Sequence, residues 1–132
     1  MQLKLISCNN HTLTASAPAG PNLNDKQTIF GGSSSALMTV CGWALIKYNL
    51  EQRGFNNDVV IAEAQTRWLK AQSDELFITA QCDIIWDDII QVSHEKHKSK
   101  LSVQTQVKNQ HNQLCTVTTA TYVILDKGKT LS

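Results

Sequence analysis

Two glycines, Gly31 and Gly32, stand directly before an uncharged apolar stretch, and a polar loop carrying Pro21, Asn22 and Asn24 runs into them. Where such a loop turns into a helix, the N–H groups of the first turn have no intrahelical acceptor and point at the space beneath the loop. A carbonyl oxygen placed there meets backbone donors and the positive end of the helix dipole. Glycine lets a ligand approach the backbone with no Cβ in the way. Asn22 and Asn24 can offer amides to a ligand or a water, and the same residue types serve equally as turn formers. His94 and His97, in "HEKH", have a spacing open to a metal, but Lys96, Lys98 and Lys100 around them would repel a cation. They read as a solvated loop, and neither metal nor organic cofactor is expected.

Several elements must position these residues. "TLTASA", residues 12–17, alternates Leu13, Ala15 and Ala17 with small polar residues, which fits a strand. From about Ser33 to Arg53, Leu37, Val40, Cys41, Ala44, Leu45 and Tyr48 recur at helical spacing, and Gly54 stands where a C-terminal cap belongs. The first half of this helix, through Ile46, carries no charge on any face, so it is expected to be a core helix covered on several sides. After it the period becomes two. "DVVIAEAQTRWLK", "ELFITAQCDIIW", "KLSVQTQVK" and "LCTVTTATYVIL" each have the length of a strand, and "NQHNQ" is a hairpin turn between the last two. Residues 87–97 form the only long connection. One buried helix, preceded by one or two short strands and followed by four antiparallel ones, packs well only if the sheet curls around the helix. That is an α+β, hotdog architecture, expected to fill residues 1–132 as a single domain.

Composition removes several function classes. Twelve Lys plus Arg against eleven Asp plus Glu leave a net charge of +1, far from the basic excess of a nucleic-acid-binding surface. Cys8, Cys41, Cys82 and Cys115 are widely spaced with no C-x-x-C pair, so they read as buried reduced thiols of a cytoplasmic protein. The longest uncharged run is too short to span a bilayer. Trp43, Trp68 and Trp86 are expected to be core or interface aromatics.

Read together, "SAPAGPNLNDKQTIFGGSSSALMTVCGW" and "DVVIAEAQTRWLK" closely resemble the YiiD C-terminal thioesterase family of bacteria. Pro21, Asn22, Asn24, Thr28, Phe30, Gly32, Ser33, Gly42, Trp43, Ile61, Ala62, Glu63, Arg67 and Leu69 fall on its pattern positions. The resemblance covers nearly the whole chain. It implies a hotdog fold, a homodimer (or dimer of dimers) whose sheets join edge to edge, and hydrolysis of acyl-CoA or acyl-carrier-protein thioesters. Acyl-CoA thioesterases of the wider superfamily carry N-x-x-G-x-x-H-G-G at the start of the helix and an acid seven residues after the second glycine. Here their Asn falls on Asn24 and their Gly-Gly on Gly31 and Gly32, but their His falls on Phe30 and their acid on Thr39. Gln27 stands in for a further glycine.

Thioester hydrolysis needs a polarised carbonyl, a positioned water and a proton acceptor. The expected assignments are the N–H groups of Gly32 and Ser33 for the carbonyl and Asn24 for the water, with Glu63, at an acidic position of the family pattern, as the base. Asn22, Asp25, Phe30, Gly31 and Thr39 are expected to contact substrate, Asp25 being the second candidate base or a partner of the helix dipole. The lysines at 96–100 suit the phosphates of coenzyme A, an acidic carrier protein, or plain solvent. The rival expectation is a hotdog domain that binds acyl thioesters without cleaving them.

Overall fold

The computed structural model describes residues 2–29 and 31–126. In chain order these form β1 (Lys4–Cys8), β2 (Thr12–Ala17), a short 3-10 turn at Gly20–Asn22, α1 (Gly31–Gln52), β3 (Asp58–Trp68), β4 (Leu76–Gln81), α2 (Trp86–Lys96), β5 (Lys98–Lys108) and β6 (Leu114–Leu125). All six strands belong to one sheet in the order β1-β2-β4-β5-β6-β3, every neighbouring pair antiparallel. It wraps α1 in the hotdog arrangement.

Period two translates directly into faces. Along β5, Leu101, Val103, Thr105 and Val107 are buried while Ser102 and Gln104 are exposed. Leu13, Ala15 and Ala17 do the same on β2. These inward residues meet Leu37, Met38, Cys41, Leu45, Ile46 and Leu50 of α1 in one apolar cluster. Each large side chain so buried contributes about 1.5–3 kcal/mol relative to exposure. At the end of α1, Gly54 takes a left-handed φ of 80°, its N–H bonds the Glu51 carbonyl at 3.0 Å, and the Phe55 N–H reaches back to Leu50 at 2.9 Å. This is a Schellman stop, as the position of the glycine predicts. Asn109 organises the β5–β6 turn by accepting the N–H groups of His111 and Gln113 on its Oδ1.

One expectation about the elements needs correction. Residues 87–97 are not a loop: Trp86–Lys96 is a helix, α2. Trp86, Ile90 and Ser93 are buried along one face at helical spacing, Asp87 and Asp88 lie in the first turn, and His97 closes the helix at φ 68°. Acids at the start and cations at the end of a helix complement its dipole. α1 is covered on several sides, as expected, and one face stays open. Val40 and Trp43 are 41% and 42% exposed, next to a β3 of which only Val59 is buried. Trp43 Nε1 donates to the Val59 carbonyl at 3.1 Å, tying this open face to the free edge strand.

Halfway along α1 a side chain of the sheet reaches a helix carbonyl. Tyr122 of β6 donates its hydroxyl to the Thr39 carbonyl at 2.7 Å, tying β6 to the middle of α1. Position 42 must be glycine for this to fit, because a Cβ there would run into the Tyr122 hydroxyl.

Candidate functional site

At the N-terminal end of α1, a cleft of about 360 Å³ opens between the Thr28–Ile29 segment, the first helical turn and the end of β3. Gly31 and Ser34 form its helix wall, Trp68 and Leu69 its strand wall, and Gln72 and Thr116 lie deeper. Register explains which way the end of β3 faces. Trp68 pairs with Thr116, a buried residue on the helix side of the sheet, so its indole points inward. Trp68 Nε1 donates to Ser34 Oγ at 3.2 Å, and Ser34 Oγ in turn donates to the Gly31 carbonyl at 3.1 Å. The indole lies so close to Gly31 that an added Cβ there would be 3.3 Å from Trp68 Nε1.

Around this cleft the expected site residues separate. Gly31 lines it; Gly32 and Ser33 do not, although their N–H groups point along the helix axis toward the same end. Asn24 anchors the loop: its Oδ1 accepts the N–H groups of Lys26 and Thr28 at 2.9 and 3.1 Å and the Thr28 hydroxyl at 3.2 Å. Asn22 is buried, its Nδ2 donating to the Pro18 carbonyl at 2.8 Å, so it stands behind the loop rather than in the cleft. Asp25 is exposed at the loop tip. Thr39 lies two turns inside α1, its hydroxyl returned to the Ser35 carbonyl at 2.9 Å. Phe30 lies outside the described residues.

Glu63 is placed elsewhere. Irregular pairing between Ile61 and Glu63 shifts the alternation by one residue, so Ile61 pairs with inward Tyr122 and Glu63 with Thr121 on the outer face. Within one chain its carboxylate is turned away from α1. No carboxylate among the described residues lines the cleft. The lysines at 96–100 are also remote: Lys98 pairs with Leu125, which pairs with Asp58, at the opposite end of β3 from Trp68. Ser34 and Trp68 are among the cleft residues that residue-type reasoning passes over, since a serine inside a helix and a tryptophan in a strand look structural. The signal that could have found Trp68 is its place at the very end of a strand in a family-pattern segment.

Fold and cleft together define a hotdog protein of the thioesterase kind, with a ligand-sized cleft at the head of its central helix. The chain belongs to the family described as "Putative thioesterase (yiiD_Cterm)", whose profile matches residues 1–126. Among solved structures it is similar to a thioesterase of that description from Shewanella oneidensis, at 25% identity and a TM-score of 0.80, covering 95% of this chain and 84% of that one. A Chlorobaculum tepidum protein of unknown function shares the fold at 20% identity and a TM-score of 0.88, over 96% and 84% of the two chains. So does a hypothetical thioesterase from Streptococcus pneumoniae, solved with coenzyme A, at 14% identity and a TM-score of 0.74, over 94% and 86%.

Proposed function

We propose that the protein hydrolyses acyl thioesters of coenzyme A or of an acyl-carrier protein, as a single hotdog domain working in the cytoplasm. The observation that carries this is the cleft at the head of α1, where N–H groups without intrahelical acceptors meet a space of ligand size. A thioester carbonyl seated there is polarised by the Gly31–Ser33 end of the helix as negative charge develops on its oxygen. Losing one such donor costs about 10²–10³ in turnover in other acyl-transfer enzymes. A neighbouring fold holding coenzyme A supports that carrier, and four free cysteines support a reducing compartment.

The proposed assembly is a homodimer through β3. This strand is eleven residues long, unpaired on one side, and flanked by the half-exposed Val60, Ile61, Trp68 and Leu69. A second copy would pair the edge and cover the open face of α1.

A non-hydrolytic thioester binder is the second reading, favoured by the absence of a carboxylate among the described cleft residues and by the turn duty of Asn24. Steady-state hydrolysis of an acyl-CoA panel across pH separates the two, with Asp25→Asn and Glu63→Gln in parallel. Hydrolysis that rises through a carboxylate titration, abolished in one of these variants, names the base and supports the enzyme. A slow, hydroxide-dependent rise shared by all three proteins supports the binder.

A further inference from the structure

Resting on the reading of the cleft as the acyl site, we infer that Trp68 is its specificity-determining residue, restricting it to thioesters of short or compact acyl groups. The cleft of about 360 Å³ is open on its solvent side, and between helix and sheet it ends against the Trp68 indole, which reaches the first turn of α1. A short or compact acyl group fits in front of the ring, whereas a long chain directed along α1 and the sheet meets it.

Trp68 is what sets the limit. Its indole spans the gap between the strand end and the first turn of α1, in contact with Gly31, and pairs across the sheet with Thr116. It is held there even though 57% of the residue is exposed. A tryptophan at a frayed strand end would ordinarily be free to change rotamer. Here the N–H is fixed by Ser34 Oγ, and Ser34 is fixed by the Gly31 carbonyl, so indole orientation is locked to the same helical turn that polarises the thioester. Ser34 is 2% exposed and cannot turn toward solvent. Removing the indole would extend the cleft alongside the helix, over Thr116 and toward the buried core. The ring also offers a flat apolar face to whatever binds, which favours compact or planar acyl groups by contact as well as by exclusion.

The test titrates wild type, Trp68→Ala, Trp68→Phe and Ser34→Ala with non-hydrolysable acyl-CoA thioethers of two to sixteen carbons, with hydrolysis of the matching thioesters alongside. Wild type should bind the two-to-six-carbon analogues at least tenfold more tightly than the sixteen-carbon one. Trp68→Ala should gain about tenfold for the sixteen-carbon analogue and lose affinity for the short ones. Trp68→Phe, which keeps a ring and should fold even if the alanine variant does not, should gain about threefold. Ser34→Ala, with the indole unlatched, should widen the accepted lengths without a change in native circular dichroism. A wild type that prefers long chains, or folded Trp68 variants with the wild-type length profile, overturns the inference. Selective binding of short analogues with no hydrolysis by wild type rejects the enzyme and leaves the assignment of Trp68 standing. No binding of any analogue rejects both.

Discussion

Asn24 sits at the position where the wider superfamily carries a functional asparagine, and its carbonyl oxygen is engaged by three donors of its own loop. Removing those bonds leaves two backbone N–H groups to find water, which costs about 1–2 kcal/mol at a comparable cap. Asn24→Ala should therefore lower the melting temperature by roughly 3–8 °C. An unchanged Tm with reduced turnover would show instead that the loop holds itself and that Asn24 acts on the substrate. The thiols make a second prediction at this scale. Burial pushes the Cys41 thiol up to about 12 and Cys82 to about 11, the latter helped by the Asp83 charge. Thiolate is the reactive form. At pH 8 the native protein should react with a thiol reagent at half-buried Cys8 and hardly at the three buried cysteines, all four reacting in guanidinium. Rapid modification of Cys41 in the native state would show that α1 opens.

The elements differ in how far they were legible in the sequence. β5 was clear because alternating Leu, Val and Thr against Ser and Gln has one physical reading, a sheet with one wet face. The stop of α1 was clear because Gly54 alone can adopt its left-handed backbone cheaply. α2 is harder to read, since the lysines and histidines at its end give it the look of a solvated loop and its buried face rests on only Trp86, Ile90 and Ser93. The direction of Glu63 was beyond reach: it depends on a shift of one residue between Ile61 and Glu63 that only the pairing with β6 reveals. The exposed edge of β3 carries the assembly prediction. Wild type should scatter light as a dimer at micromolar concentration. Val60→Lys, placing a charge at a site 42% exposed on that strand, should yield a folded monomer. A monomeric wild type would remove the edge-to-edge dimer.

For the molecule as a whole, the buried acids set its behaviour in alkali. Burial raises the thiols of Cys41 and Cys82 and, with the neighbouring Cys41, the phenol of Tyr122 above their ordinary values. The folded chain then keeps protons that the unfolded chain releases, so unfolding releases protons and stability falls as pH rises. The fall should begin near the ordinary thiol value of 9.0 and continue to about 12, where Cys41 itself ionises in the fold. Thermal melts should be level between pH 7 and 8.5 and drop steadily above pH 9; a level profile to pH 11 would mean these groups meet water. The phenol packed against α1 at Gly42 has a different consequence, for how the chain can change over generations. Gly42→Ala alone drives a methyl into the Tyr122 hydroxyl and should cost about 1–3 kcal/mol. Tyr122→Phe alone removes the hydrogen bond to the Thr39 carbonyl, at about 1 kcal/mol. The pair together should cost less than the sum, by about 1 kcal/mol. A lineage can therefore lose this glycine most easily after the tip of the Tyr122 side chain has been cut back, and the contact of that tip with position 42 constrains the order in which the two substitutions arrive.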